Sequence, residues 1–167
     1  GFSLTGTELP REGNGHPTMV PYQIFETKDG SVAISAADSR QWIKFTQALN
    51  RTDLVDDPRF IDNSARVGHR KELIDALQKI MLKYDRDSLV SLMREFGIPS
   101  SPVQSVKDVL EDPQLQFRGM VQDIGGVVVP GCPIKMTGFT WKLQNAPPKQ
   151  GQDALKILED LEIPETL

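Results

Sequence analysis

The sequence predicts an α+β fold, and three observations carry that expectation. Tyr22 to Phe25 and Ser31 to Ser35 are short runs of strand-favouring residues separated by Asp29-Gly30, a strong local signal for a β-hairpin turn. From Asp38 to Asp112 the apolar residues recur at helical spacing instead of alternating. Beyond Met120 short strand candidates return on either side of Gly125-Gly126. Hairpin strands around a helical middle define the α+β class.

Taken in order, residues 1–20 have no helical or strand period, and Pro10, Gly13, Gly15 and Pro17 make them an extended loop or linker. After the hairpin, Asp38 or Ser39 caps a helix with Trp42, Ile43, Phe45 and Leu49 on one side and Asn50 at its left-handed end. Asp56-Asp57-Pro58-Arg59-Phe60 reads as a turn with an aromatic anchor. The clearest helix carries Leu73, Ile74, Leu77, Ile80, Met81 and Tyr84. The next runs from Arg86 to Phe96, burying Leu89, Val90, Met93 and Phe96, and Gly97 stops it.

Ser105-Val106-Lys107-Asp108 has capping-box form and opens a short helix ended by Pro113. Met120 to Ile124 and Val127 to Val129 are expected strands, Pro133 to Met136 a further one, and Leu155 to Leu161 a final short helix.

At 167 residues the chain fits one domain with a proper core. No apolar run approaches membrane-spanning length, so no membrane partner is expected. Lys and Arg total 19 against 23 Asp and Glu, for a net charge of −4, and the basic residues are scattered, which argues against nucleic-acid binding. The single cysteine, Cys132, excludes an internal disulfide and fits a reducing compartment. The expected location is the cytoplasm, or a mitochondrion or peroxisome in a eukaryote. The chain opens Gly1-Phe2-Ser3-Leu4 without a signal pattern, and its first methionine is Met19, so it is expected to begin within a longer protein.

Gly13-Asn14-Gly15-His16-Pro17 is the dense cluster of small residues beside a titratable group. Its glycines let the backbone approach a ligand and can present amides to developing negative charge. On residue chemistry alone, a turn leading into the hairpin is the default. His16 would act as a base only if a partner orients it, and His69 lies in a stretch rich in Arg and Lys. Asp56 and Asp57 could be an acid-base pair, but a charged turn is the simpler reading. Trp42 and Phe45 have core spacing, not that of an adenine platform. Two histidines and one cysteine without HExxH or CxxC spacing give no metal signature. Nucleophile elbow, Walker loop and dinucleotide fingerprint are also absent from the sequence.

Arg11-x-Gly13-Asn14-x-His16-Pro17, Pro21-Tyr22, Phe25, Asp29-Gly30 and Asp57-Pro58-Arg59-Phe60 resemble, in that order, the downstream half of class III CoA-transferases of the CaiB/BaiF (carnitine dehydratase and bile-acid-inducible) type. Gly97-Ile98-Pro99, Pro102-Val103, Asp112-Pro113-Gln114, Arg118-Gly119-Met120, Pro133-Ile134-Lys135, Gly138-Phe139 and Gly151-Gln152-Asp153 continue the match. Each is a common short pattern; their collinearity over nearly the whole chain is what makes the resemblance specific.

The resemblance implies transfer of CoA from an acyl-CoA to a small carboxylic acid through an acyl-aspartyl anhydride and an aspartyl-CoA thioester. It places the nucleophilic Asp upstream, so no catalytic residue is expected in this chain and the chain alone is expected to be inactive. CoA thioesters would be substrates, with no permanently bound cofactor. The family's glycine-rich loop over the reacting centre corresponds to Gly13, Asn14, Gly15, His16 and Pro17, the expected substrate-binding residues. Its formyl and oxalate enzymes carry four glycines before Gln-Pro, whereas here Gly15 precedes His16-Pro17, which points away from formyl-CoA and oxalate specificity.

The implied organisation is a linker with the glycine loop over 1–20, a small α/β domain over 21–125 and a return segment toward the large domain over 126–167. An interlocked homodimer is implied for the intact protein. Two alternatives stay open: an α-methylacyl-CoA racemase of the same superfamily, working by acid-base chemistry, and a noncatalytic interaction or gating domain.

Overall fold

The computed structural model describes residues 11–139, 141 and 145–161, together with Ser3, Gly6 and Glu8. The length favoured one compact unit, but the contacts divide the chain into two, Gly1–Val103 and Gln104–Leu167.

In the first unit β1 (Tyr22–Glu26) and β2 (Ser31–Ser35) form the expected antiparallel hairpin, Tyr22 opposite Ser35 and Glu26 opposite Ser31. The Thr27 amide donates to the Gly30 carbonyl at 2.8 Å. Asp29 fixes the turn by accepting from the Thr27 hydroxyl at 3.2 Å and the Arg86 amide at 2.7 Å. The Arg86 amide is the main reason its carboxyl lies below the ordinary carboxylate range.

A third strand, β3 (Ser100–Pro102), pairs antiparallel with β2 and completes the order β1-β2-β3. The sequence did not announce it. Ser-Ser-Pro carries no apolar alternation, and a proline is tolerated there because β3 is an edge.

Asp38 caps α1 (Ser39–Ala48), accepting from the amides of Arg40 at 2.9 Å and Gln41 at 3.0 Å. Trp42, Phe45 and Leu49 are buried, and Asn50 has the expected left-handed φ of 53°. Ile43 departs from expectation and is exposed. One residue along a helix turns the side chain by about 100°, which carries Ile43 off the buried face.

The Asp56–Phe60 stretch is the charged turn expected, with the ring of Phe60 anchored in the core. It leads into α2 (Asn63–Gly68), capped by Asp62 through the Ala65 amide at 2.8 Å. This helix was not foreseen, since Asn-Ser-Ala-Arg-Val-Gly shows little apolar period.

Helix α3 (Arg70–Met81) buries Leu73, Leu77, Ile80 and Met81, with Ile74 and Tyr84 packed at the core margin. Helix α4 (Arg86–Glu95) buries Leu89, Val90 and Met93, and Phe96 is only partly covered. Gly97 ends it with φ of 68°, letting the Ile98 amide reach back to the Met93 carbonyl at 2.8 Å. Phe25, Val32 and Ile34 from the sheet complete one core with these helices.

In the second unit the capping box around α5 (Val106–Glu111) is present in both directions between Ser105 and Asp108. Pro113 opens a new helix, α6 (Pro113–Phe117), where the sequence led us to expect only an end. Its missing N–H costs nothing in a first turn, and Asp112 accepts from the amides of Gln114 and Leu115.

Strands β4 (Val121–Ile124) and β5 (Val127–Pro130) pair antiparallel across Gly125 and Gly126, whose φ values of 63° and 83° suit a tight hairpin turn. The boundary expected after Gly125 would divide this turn. Pro133 to Met136, expected as a strand, shows only an isolated bridge between Met136 and Phe139, turned by Gly138 at φ 77°. Helix α7 (Ala154–Asp160) follows close to its expected place. Among the described residues every buried apolar side chain lies between Val20 and Ile98. None of the described helices is long and apolar enough to cross a membrane.

Candidate functional site

The outer edge of β1 explains where the glycine loop lies. A strand edge exposes alternate N–H and C=O groups that need partners. The His16 amide donates to the Tyr22 carbonyl at 2.9 Å, and the Asn14 side-chain oxygen accepts from the Ile24 amide at 3.1 Å. One step further along, Gln78 of α3 both accepts from the Glu26 amide and donates to its carbonyl, at 3.1 and 2.9 Å. The loop therefore runs along the hairpin in fixed register.

Within the loop Gly13 takes φ of 61°, a left-handed conformation that glycine adopts without strain. The Gly15 amide closes the turn on the Glu12 carbonyl at 2.9 Å. The His16 ring stacks on Tyr22 with centroids 5.2 Å apart and planes 9° from parallel. Its Nδ1 accepts from the Thr18 amide at 3.2 Å, which in the neutral ring puts the proton on Nε2.

These bonds refine the expected chemistry. The amides of Gly15 and His16 serve the loop's own structure, so in this conformation the imidazole Nε2–H, and not those amides, is the donor that His16 can offer.

Three side chains that sequence reasoning did not single out hold the loop and its foot. The Asn63 side chain donates to the Thr18 carbonyl at 2.8 Å and accepts from the Val20 amide at 3.1 Å. Arg66, fully buried, donates to the carbonyls of Val20, Ala37 and Phe60 at 2.7, 2.6 and 3.2 Å. Burial is the main cause lowering its pKa, opposed by the charges of Asp62 and Asp38. Arg70 donates to the carbonyls of His16 and Pro17, both at 2.9 Å, and pairs with Glu12 at 3.5 Å. A cavity of about 380 Å³ lies beside the loop's foot, lined by Met19, Ser35, Ala37, Asp38, Gln41 and Asn63.

The other candidates are accounted for locally. Asp57 accepts from the side chain and amide of Arg59, which hold its carboxyl down to about 2. His69 faces Glu72 at 3.2 Å. Trp42 and Phe45 are core residues, with ring centroids 6.1 Å apart. Among the described residues no three His, Cys, Asp or Glu side chains converge as a metal site.

Comparison with known proteins gives a consistent result. The family model described as CoA-transferase family III matches residues 2–154. A succinate–glutarate CoA-transferase of Agrobacterium fabrum is 29% identical over 166 residues, covering 96% of this chain and 42% of that protein. A succinyl-CoA:glutarate CoA-transferase of Mus musculus is 33% identical over 159 residues, covering 92% of this chain and 36% of its own length. A crystal structure of a CAIB/BAIF family protein from Brucella suis superposes with a TM-score of 0.82 at 33% identity, covering 96% of this chain and 42% of that one. The chain thus spans about two-fifths of the length of the proteins it matches.

Proposed function

Because this chain belongs to CoA-transferase family III, we propose that it is the downstream part of an enzyme that moves CoA from an acyl-CoA to a free carboxylic acid. The match over residues 2–154 is the observation that carries this reading.

In the proposed sequence, an Asp upstream of the chain attacks the donor thioester to give an acyl-aspartyl anhydride and CoA thiolate. The thiolate then attacks the aspartyl carbonyl, releasing the donor acid and leaving an aspartyl-CoA thioester. The acceptor carboxylate attacks that thioester and expels the thiolate. Finally the thiolate takes the acceptor's acyl group and frees the Asp. No residue of this chain supplies the nucleophile.

Gly13 to Pro17 would cover the reacting centre, with His16 Nε2–H as a hydrogen-bond donor toward carboxylate or oxyanion oxygen. Relatives named for succinate and glutarate support succinyl-CoA as donor and a small dicarboxylate as acceptor. The Agrobacterium and mouse relatives are both named CoA-transferases, which favours transfer over racemisation. We further propose an interlocked homodimer for the longer protein.

The test is an acyl-CoA assay on the longer protein with succinyl-CoA and a panel of glutarate, oxalate and formate. The expected result is formation of the acceptor's CoA thioester, with none from the isolated chain. Turnover by the isolated chain, or epimerisation of a 2-methylacyl-CoA without CoA exchange, would overturn the assignment.

A further inference from the structure

We infer that Arg70 is a positioning residue that sets the path of the glycine loop, and through it the rate of CoA transfer; this rests on the function proposed above. The first residue of α3 reaches more than fifty positions back along the sequence. One η nitrogen donates to two successive carbonyls, His16 and Pro17, both at 2.9 Å, while Nε lies 3.5 Å from the Glu12 carboxylate. Its contacts therefore fall on both shoulders of the loop, with Gly13, Asn14 and Gly15 between them.

The loop lies in contact with this guanidinium. A Cβ added at Gly15 would stand 3.4 Å from Arg70 Nη1, an ordinary contact, and 3.2 Å from the Glu12 carbonyl, tighter than most side chains accept. The Arg70 side chain is only 15% exposed and that of Glu12 23%, so water competes weakly for these bonds. A planar fork can serve the carboxylate and the paired carbonyls together, whereas lysine offers one compact charge and cannot hold both.

Arg70 touches none of the proposed reacting atoms and would act through the path of the loop backbone, not through the His16 ring. The His16 and Pro17 carbonyls on one shoulder and the Glu12 carboxylate on the other set where the loop lies, and small misplacements near reacting groups cost large factors in rate. The effect should appear in kcat more than in KM, because CoA contacts elsewhere on the longer protein are untouched.

The test compares wild type, Arg70→Lys and Glu12→Gln in the longer protein. Arg70→Lys keeps the charge and the helix start. The readouts are kcat and KM per folded enzyme, Tm, and amide hydrogen exchange of residues 13–16 and 18. We expect Arg70→Lys to lower kcat about 100-fold, leave KM for the donor within about threefold, and speed exchange of the Gly15 and His16 amides about tenfold or more, with Glu12→Gln intermediate. Unchanged exchange in Arg70→Lys would overturn the inference, as would faster exchange with normal kcat. A fall in Tm with normal kcat in the remaining folded enzyme would also overturn it, by making Arg70 merely structural. A wild type that transfers no CoA would instead defeat the proposed function, and the exchange measurement would still decide whether Arg70 holds the loop.

Discussion

The Arg66 guanidinium lies over the Trp42 ring, 4.9 Å from its centroid, with both side chains fully buried. The same guanidinium satisfies carbonyls of Val20, Ala37 and Phe60, which belong to the loop foot, the segment before α1 and the charged turn. Arg66→Leu should therefore destabilise the first unit by about 3 kcal/mol or more, since it strands buried acceptors and removes a cation from an aromatic face. A shift of the urea midpoint equivalent to less than about 1 kcal/mol would contradict this.

Gly13 and Gly15 should respond differently to substitution. At Gly13 nothing lies within 4 Å of an added Cβ, and only its φ of 61° resists, so Gly13→Asn should be tolerated better than Gly13→Val. At Gly15 the obstacle is crowding by the Glu12 carbonyl, 3.2 Å from an added Cβ. Gly15→Val in the longer protein should lower kcat more than it lowers thermal stability. A collapse in Tm with normal kcat for the remaining folded enzyme would make the loop a structural element only.

The hairpin, the core face of α3 and the Gly97 stop were legible because periodicity and turn chemistry act locally. Strand β3 and helix α2 were not, since Ser100–Pro102 is a strand by virtue of pairing with β2, and α2 is anchored by the buried Arg66 with Val67 at the core margin. In the candidate site the glycines were visible in the sequence. Arg70 and Asn63 were hidden because their value comes from carbonyls more than forty positions away, and charged or polar residues on helices are ordinarily solvated.

Asp57 gives a pH dependence with a definite sign. Hydrogen bonds from the Arg59 side chain, then from its amide, hold the carboxyl at about 2 against an ordinary 3.8. A depressed folded pKa favours the folded state in full above the unfolded value, and that contribution is lost as pH falls through the folded one. Asp57→Asn should thus lower Tm at neutral pH, and its deficit should narrow between about pH 4 and pH 2. A deficit constant across that window would show that charge is not the cause.

His16→Gln in the longer protein should retain substantial activity and shift acceptor preference. A carboxylate nucleophile is already ionised at neutral pH and needs no base, and a glutamine amide can replace both the Nδ1 acceptor and the Nε2 donor, though not at once from one atom. The stack on Tyr22 would be lost. The check is a pH–rate profile of both proteins with several acceptors; a loss of about a thousandfold for all of them, typical of removing a general acid or base, would contradict the role.

The gathering of every described buried apolar side chain between Val20 and Ile98 makes chain length a poor guide to how this polypeptide responds to denaturant. The slope of stability against urea scales with the surface newly uncovered on unfolding. In the second unit Phe117 at 88%, Val106 at 78% and Ile134 at 66% already meet solvent in the isolated chain, so little remains there to uncover. Its unfolding curve should have the shallow slope of a protein of about one hundred residues, the first unit alone, although the polypeptide has 167.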